Sequence, residues 1–397
     1  MTLFKLLSIS RFPYTVLWLA GLLMIFAQPV TANEFPTLPD DSTENEITAD
    51  FVGWCPSNAN ICRVNRDWTV EAIQAQLGSD RWKVWQEGNQ LIFAIRTRAQ
   101  DVLIAGGIST NLTPVKDSDY WVATLQILNI DHAMVSYIFG VMQNGTTQLI
   151  ADSHGVWRGQ HAPKPPPMTQ PTRLITQAIY SPELDEMRQV SVYLPLNYSG
   201  VDVPVVYMAD GQALAAFTRV MEPLIYKGLI PPTMIVGVHA PWFEPTRNRR
   251  SEEYVLGLND DVYIAHEQFF TKTVRRWAEL QFGASQDPAK RAIFGFSDGA
   301  VFAGNTGVRH PNLYGQVMMF STTQQPYVTL RTAIEPRYYL LAGTLEPPIY
   351  AQTHQFYFSL LLLNAEARFT RRIAGHDGVM WQEEFVSALR WMFLPDN

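Results

Sequence analysis

The first part of the chain alternates apolar and polar residues in short runs, as antiparallel strands do. Turn signals such as Gly106-Gly107 and Asn144-Gly145 separate these runs, and one amphipathic helix is expected over residues 69–77. Several short alternating strands between turns predict an antiparallel β-sandwich, here over residues 51–160. The clearest runs are residues 90–95, 101–105 and 120–125.

The later part of the chain has continuous apolar runs that alternate with helical stretches. Such runs predict strands of a parallel sheet that is covered by helices on both faces, the α/β class of fold. We expect this α/β domain to span residues 173–397. The runs are residues 203–208, 234–238, 292–294, 317–320 and 338–342, after a hairpin-like pair at 174–180 and 189–194.

A proline-rich segment joins the two patterns. Pro163, Pro165, Pro166, Pro167 and Pro171 lie within ten residues. Prolines at this density favour a stiff, extended chain, which predicts a linker over residues 161–172. Recognition of this segment by a partner protein is the alternative.

The N-terminus has the pattern of an export signal. Lys5 and Arg11 precede an apolar stretch over residues 16–27, and Val30-Thr31-Ala32 resembles a small-residue cleavage site. We expect cleavage after residue 32, a flexible acidic segment at 33–50 and a periplasmic or secreted protein. An uncleaved anchor is the alternative. We expect no membrane span in the mature chain, because no later stretch is apolar enough.

The net charge bears on the class of partner, and the cysteine content bears on the compartment. The formal charge is −7, and loss of the two basic residues of the signal moves it to −9. This argues against a nucleic-acid partner, which requires a basic surface. Cys55 and Cys62, the two cysteines of the chain, are expected to form one local disulfide in an oxidising compartment; two free thiols in a reducing cytosol are the alternative.

The most informative motif is Gly-Phe-Ser-Asp-Gly at residues 295–299. It lies between the apolar run 291–294 and the start of a helical pattern at Ala300. A Gly-x-Ser-x-Gly motif at a strand-to-helix turn is the nucleophile elbow of an α/β-hydrolase. Its glycines allow strand and helix to approach closely, and its strained serine exposes the hydroxyl group. Ser297 is therefore the candidate nucleophile.

Two further strand ends supply the partners that a serine nucleophile needs. Glu346 follows the strand 338–342, and His376 follows the strand 368–373. An imidazole can accept the serine proton, and a carboxylate can orient the imidazole. The order serine, acid, histidine is that of the hydrolase fold. Asp377 lies beside His376, so a different acid, or none, is the alternative to Glu346.

Two backbone segments are candidates for an oxyanion hole. The N–H group of Asp298 lies at the start of the elbow helix, where the helix dipole favours negative charge. Gly211 and Gln212 begin the loop after the strand 203–208. A plain Asp-Gly turn is the alternative for that loop.

Several motifs occur in an order that resembles the enterochelin (enterobactin) esterase branch of the esterase D family, within the α/β-hydrolase superfamily. The N-terminal region resembles the immunoglobulin-like domain that precedes the hydrolase in those enzymes. The matching residues are Arg188 with 190–195, Asp210-Gly211, Arg250 with Glu253 and Tyr254, 295–299, Pro311 with Tyr314-Gly315, Gly343 with Glu346, and 375–377 with Trp381.

This resemblance implies roles for individual residues. Ser297 would be the nucleophile, His376 the base and Glu346 the acid, and the N–H groups of Asp298 and Gln212 would bind the oxyanion. Arg250 and Glu253 would lie near the mouth of the site and bind substrate, and we expect the aromatic residues Trp242 and Trp381 to do the same.

One cluster of charged and aromatic residues bears on the substrate class. Arg247, Arg249 and Arg250 come soon after Trp242 and Phe243. Cations beside aromatic rings suit an anionic, aromatic iron chelate, and the resemblance implies a catecholate siderophore or a related lactone. A carbohydrate acetyl or feruloyl esterase and an acyltransferase are alternatives with the same chemistry. A non-catalytic binding protein on a hydrolase scaffold is the alternative from another class.

The expected chemistry needs no cofactor. The sequence has no glycine-rich phosphate loop and no metal-spaced set of His and Cys residues, so we expect no cofactor and no metal site. The expected partner is a small-molecule ester, and any iron would arrive as part of the substrate. The oligomeric state does not follow from the sequence.

Overall fold

The computed structural model of the chain describes residues 59–171, 173–241, 244, 246–327 and 336–394. The signal peptide, the acidic segment, Cys55 and Trp242 lie outside these residues, and the predictions about them stay predictions. The described chain forms two compact units. The first extends to Ile130 and includes Ser136–Trp157, and the second contains Asp131–Val135 and the described residues from Arg158 onward.

Two antiparallel sheets form the all-β region, as predicted from the alternating runs. One sheet has the order β1-β7-β3-β2 with β6 beside β7, and the other has the order β10-β8-β4-β5 with β9 beside β8. The rings of Phe93 in β3 and Tyr137 in β8 are 5.8 Å apart, so the two sheets share a core. The strands are β1 (Ile61–Val64), β2 (Trp82–Glu87), β3 (Gln90–Arg96), β4 (Asp101–Gly106), β5 (Thr110–Asn111), β6 (Thr113–Pro114), β7 (Tyr120–Ile127), β8 (Met134–Gln143), β9 (Thr146–Leu149) and β10 (Gly155–Arg158).

The predicted first helix is also present. Helix α1 (Val70–Leu77) begins after Thr69, whose hydroxyl group accepts a hydrogen bond from the Ala72 N–H. A threonine at this position satisfies one of the N–H groups that a helix start leaves without a partner. Ile73 and Leu77 form the buried face of the helix.

The second unit is built on an eight-stranded sheet with the order β11-β12-β14-β13-β15-β16-β17-β18. Strands β11 and β12 pair antiparallel with each other and β12 with β14, and the remaining neighbours are parallel. The strands are β11 (Leu174–Ser181), β12 (Glu186–Tyr193), β13 (Val205–Ala209), β14 (Met234–Val238), β15 (Arg291–Phe296), β16 (Gln316–Phe320), β17 (Arg337–Gly343) and β18 (Ala367–Arg372).

Helices cover both faces of this sheet. Alternate residues of β15 show the two layers, since Phe294 packs against Phe217 and Phe385, whereas Ile293 belongs to the buried cluster that contains Phe302. Burial on both faces explains why the strands are continuous apolar runs. The helices are α2 (Leu214–Tyr226), α3 (Arg249–Tyr254), α4 (Asp260–Gln268), a π-helical turn (Phe269–Val274), α5 (Arg275–Phe282), α6 (Asp298–Arg309), α7 (Pro347–Leu362) and α8 (Gly378–Phe393).

No helix among the described residues is both long enough and apolar enough to span a bilayer.

Strand β15 and helix α6 are in close contact where they meet. A Cβ atom at Gly295 would lie 1.9 Å from the carbonyl oxygen of Gly299. A Cβ atom at Gly299 would lie 3.1 Å from a carboxylate oxygen of Asp210 and 3.3 Å from the Cβ of Ala209, at the end of the neighbouring strand β13. The glycines of the motif therefore allow the strand, the helix and the β13 loop to meet at one point.

The substitution Gly295→Ala is expected to destabilise the protein by about 3 kcal/mol or more, because the new methyl group overlaps a backbone atom that cannot move without shifting α6. Urea unfolding of the mature chain measures this loss. Gly378→Ala is the matched control, since its Cβ would meet no atom closer than 3.9 Å. Equal stability of the two variants would contradict the prediction.

Candidate active site

Ser297 lies at the turn between β15 and α6. Its backbone has φ 57° and ψ −131°, a conformation that costs free energy for a residue with a side chain. The Ser297 N–H donates to the carbonyl oxygen of Phe320 on the adjacent strand β16, at 2.9 Å, and this bond helps to hold the turn. The serine therefore has the backbone geometry expected of a nucleophile elbow.

His376 and Glu346 form a short hydrogen bond. The Nδ1 atom of the histidine lies 2.6 Å from Oε2 of the glutamate. The two residues are thirty positions apart in the chain, and they meet because they follow the neighbouring parallel strands β17 and β18. A neutral imidazole that donates from Nδ1 has its lone pair on Nε2. The structure thus joins Glu346 and His376, the predicted acid and the predicted base, by a hydrogen bond.

The glutamate is itself held in place by two further bonds. Its Oε1 atom accepts hydrogen bonds from the Ser321 hydroxyl group at 2.6 Å and from the Gly343 N–H at 2.7 Å. Two hydrogen bonds of this length fix the orientation of the carboxylate group. Ser321, at the end of β16, was not identified from the sequence, although its place at a strand end is a signal that could have found it.

Trp381 connects the elbow to the histidine. Its indole ring stacks on Phe296 at 4.6 Å and contacts the His376 ring edge-on at 4.8 Å. Its N–H group donates to the Ser321 hydroxyl oxygen at 2.9 Å. Phe296 precedes Ser297, so the tryptophan brings the histidine loop next to the elbow. Its side chain is buried, which suits this structural role better than the expected contact with substrate.

Asp377, the alternative acid, has another partner. Its side chain accepts a hydrogen bond from the Val379 N–H at 2.8 Å and caps the start of α8. A carboxylate at this position also interacts favourably with the helix dipole. The geometry therefore pairs His376 with Glu346, and Asp377 begins the next helix.

The two candidate oxyanion segments have different local structures. Asp298 is the first residue of α6, where backbone N–H groups have no partner within the helix. Gly211 and Gln212 belong to a single 3₁₀ turn after β13, which follows Asp210 in a left-handed conformation with φ 56°. A Cβ atom at Gly211 would lie 2.2 Å from the Gly237 carbonyl oxygen, so the turn packs directly on β14.

Arg250 contacts both of these segments. Its guanidinium group donates two hydrogen bonds of 2.7 Å to the carboxylate of Asp210, and its Nη1 atom lies 3.5 Å from a carboxylate oxygen of Asp298. The side chain is 15% exposed. It was predicted to bind substrate, and the structure places most of its donors on these two carboxylates.

Glu253 does not lie at the surface. Its side chain is fully buried and accepts two hydrogen bonds from Arg188, at 2.7 and 2.9 Å. Arg249 also lies 3.2 Å from it. Contact with substrate was expected of Glu253, and this position differs from that expectation because its charge is compensated inside the protein. No local pattern in the chain indicates this partner, since Arg188 lies sixty-five residues away.

Cys62 lies in β1 of the first unit, and its predicted partner Cys55 lies outside the described residues. The disulfide stays a prediction.

His266 is a fully buried histidine beside Glu253. Its ring lies 4.9 Å from that of Phe302 and 5.4 Å from that of Tyr254, and its Nδ1 atom is 3.3 Å from Glu253 without hydrogen-bond geometry. Burial lowers the pKa of His266 well below its ordinary value, and the positive charges of Arg188 and Arg249 lower it further. At neutral pH the folded protein therefore favours the uncharged form of this histidine.

The fold of the second unit, with its elbow at the end of β15, defines the class: this is an α/β-hydrolase, preceded by an all-β region. The family model described as "Putative esterase" matches residues 181–391, more than half of the chain, and the chain belongs to this esterase family. The prediction of a carboxylic-ester hydrolase is confirmed at this level.

A relative in Bacillus subtilis, the uncharacterised protein YjcH, is 29% identical over 153 residues. The match covers 38% of this chain and 60% of the relative's own length.

Two solved structures share the fold over most of the chain. The enterochelin esterase of Shigella flexneri has 17% sequence identity and a TM-score of 0.62, with 81% of this chain and 98% of that chain covered. The ferric enterobactin esterase of Salmonella typhimurium has 16% identity and a TM-score of 0.62, with 81% and 99% covered. The predicted resemblance to the enterochelin esterase branch is confirmed in its fold.

The substitution His266→Phe is expected to reduce the loss of stability at acidic pH. Below about pH 6.5 the unfolded chain binds a proton at this histidine and the folded chain does not, so the free energy of unfolding falls by up to about 1.4 kcal/mol per pH unit. Phenylalanine removes this contribution and fits among the surrounding rings. Urea unfolding between pH 5 and 7 measures the slope, and equal slopes in both proteins would contradict the assignment.

Proposed function

We propose that the protein hydrolyses esters by a serine mechanism, with Ser297 as the nucleophile, His376 as the general base and Glu346 as the acid that orients it. The observation that carries this proposal is the bond of 2.6 Å between His376 and Glu346. Trp381 contacts both His376 and Phe296, the residue before the serine in its strained elbow conformation. The backbone N–H groups of Asp298 and of Gly211 or Gln212 are proposed to bind the oxyanion.

The reaction begins when the Ser297 hydroxyl group attacks the ester carbonyl carbon. Its proton passes to Nε2 of His376, and the carbonyl oxygen becomes the oxyanion of a tetrahedral intermediate. The bond to the alcohol then breaks, and His376 gives its proton to the departing alkoxide. Water attacks the acyl-enzyme in the same way, with its proton taken by His376, and the acid and free serine are released.

For the substrate, we propose a catecholate siderophore or a related lactone. The support is the fold of the enterochelin and enterobactin esterases, which this chain shares over nearly their whole length, including the all-β region. The arginine cluster gives no further support. Arg247 bonds to Glu252, Arg249 to Glu186 and Glu253, and Arg250 to Asp210, so each cation already has a carboxylate partner.

We also propose export to the periplasm or beyond, on the pattern of residues 1–32. With it we propose the domain limits given above, 51–160 and 173–397. The division of the described chain into two compact units near Arg158 supports those limits.

The substitution Ser297→Ala is expected to lower ester turnover by at least about 1,000-fold, because the nucleophile is removed. Hydrolysis of a p-nitrophenyl ester, a ferric tri-catechol trilactone and feruloylated or acetylated xylan fragments is measured for both proteins. Ser199→Ala, an exposed serine of the same unit, is the control. Equal turnover by Ser297→Ala would overturn the mechanism, and faster turnover of the xylan fragments by the wild type would overturn the siderophore assignment.

Glu346→Gln is expected to lower kcat by about 100-fold or more, since an amide cannot stabilise the protonated imidazole and can hold the neutral ring in the wrong tautomer. Asp377→Asn is the matched control, because asparagine caps a helix as well as aspartate does and should leave kcat close to wild type. The two kcat values on a p-nitrophenyl ester decide between the acids. A larger loss in Asp377→Asn would show that the wrong carboxylate has been assigned.

A further inference from the structure

Helix α3 makes hydrogen bonds to both segments that the proposed function assigns to the oxyanion. On the side of the β13 loop, Arg250 donates to the Asp210 carboxylate, and the Tyr254 hydroxyl oxygen accepts from the Asp210 N–H at 3.0 Å. On the side of the elbow, the Ser251 hydroxyl group donates to the Asp298 carboxylate at 2.6 Å. A helix of six residues thus spans the two segments.

The two aspartates are the residues whose position matters here. Asp210 immediately precedes Gly211 and Gln212, and Asp298 carries one of the proposed N–H donors itself. Both residues are almost completely buried, at 1% and 2% exposure. Because each carboxylate belongs to the same short turn as a proposed donor, a bond that fixes the carboxylate also restricts the direction of the N–H group.

The charge of the two aspartates also affects the site, because two buried carboxylates would repel the negative charge that develops on the substrate oxygen. Within the described residues, Arg250 is the cation that contacts both of them. Its planar fork matches the carboxylate of Asp210 with two parallel bonds, while its third nitrogen faces Asp298. Removing it would leave two carboxylates without this partner beside the oxyanion.

We propose that Arg250 is a positioning residue for the oxyanion hole: it holds the two proposed donor segments at a fixed separation and offsets the charge of the two aspartates beside them. This inference rests on the proposed serine mechanism and gives Arg250 a role different from binding an anionic substrate. Its effect is expected in the transition state rather than in the binding of the substrate.

The geometry also predicts how different replacements rank. Lysine keeps the positive charge but cannot make two parallel bonds to one carboxylate and reach a second. Methionine resembles the aliphatic stem of arginine and removes both the charge and the donors. The loss of activity should therefore be intermediate for Arg250→Lys and largest for Arg250→Met.

The test measures kcat and KM of the mature protein on an uncharged p-nitrophenyl ester. Arg250→Met is expected to lower kcat by about 100-fold with little change in KM, because a small displacement of oxyanion donors has an effect of this size. The Ki of an alkyl boronic acid, which forms a tetrahedral adduct with the serine, should rise by a similar factor. Circular dichroism and thermal unfolding correct for any unfolded fraction.

Arg247→Met is the matched control. Arg247 lies three residues earlier, is 41% exposed and pairs with Glu252, so its loss should leave kcat and Ki unchanged. The double variant Asp210→Asn with Arg250→Met should regain part of the kcat lost in Arg250→Met, because one of the two unpaired charges is then absent.

Three results would overturn the inference. One is an unchanged kcat in Arg250→Met, and another is a rise of KM that is confined to anionic substrates, which would make Arg250 a substrate-binding residue. A third is a loss of kcat without any change in the Ki of the boronic acid. Ser297→Ala is measured alongside, since turnover by that variant would refute the serine mechanism itself, whereas its inactivity beside an unaffected Arg250→Met would refute only the role of Arg250.

Discussion

The close approach of β15 and α6 is the constraint on which the rest of the site depends. A Cβ atom at Gly295 would overlap the Gly299 carbonyl group, and a Cβ atom at Gly299 would press against Ala209 and Asp210 at the end of β13. Between them the chain turns through Ser297, which has a positive φ of 57°. The strain of this conformation is stored locally and is offset by the packing of the sheet and the helices around it.

A second feature is that the polar groups near the elbow form connected sets. Ser321 links the carboxylate of Glu346 to the indole of Trp381, and the same indole contacts His376. Connected hydrogen bonds in a buried setting hold one another in a single arrangement, because any group left without a partner costs free energy. This rigid support holds the His376 ring in one orientation.

Buried ion pairs play a related part on the other side of the elbow. Arg188 and Glu253 are both almost fully buried, and Arg250 lies against Asp210 and Asp298. Pairs of this kind gain little net stability, because the removal of two charges from water offsets much of their attraction. We interpret these ion pairs as contacts that favour one position of helix α3 against the strand ends, since each carboxylate has good hydrogen bonds in that position.

The sequence by itself determined the layers of the fold, because a strand covered on both faces must be apolar throughout and an exposed sheet must alternate. It also determined the place of the elbow, since Gly-x-Ser-x-Gly at a strand end has few other structural uses. Only the tertiary structure decided that His376 bonds to Glu346 and that Glu253 turns inward to Arg188. It likewise decided that Arg250 bridges two aspartates. These partners are thirty to sixty-five residues apart, so their pairing depends on the order of the strands and leaves no local pattern in the chain.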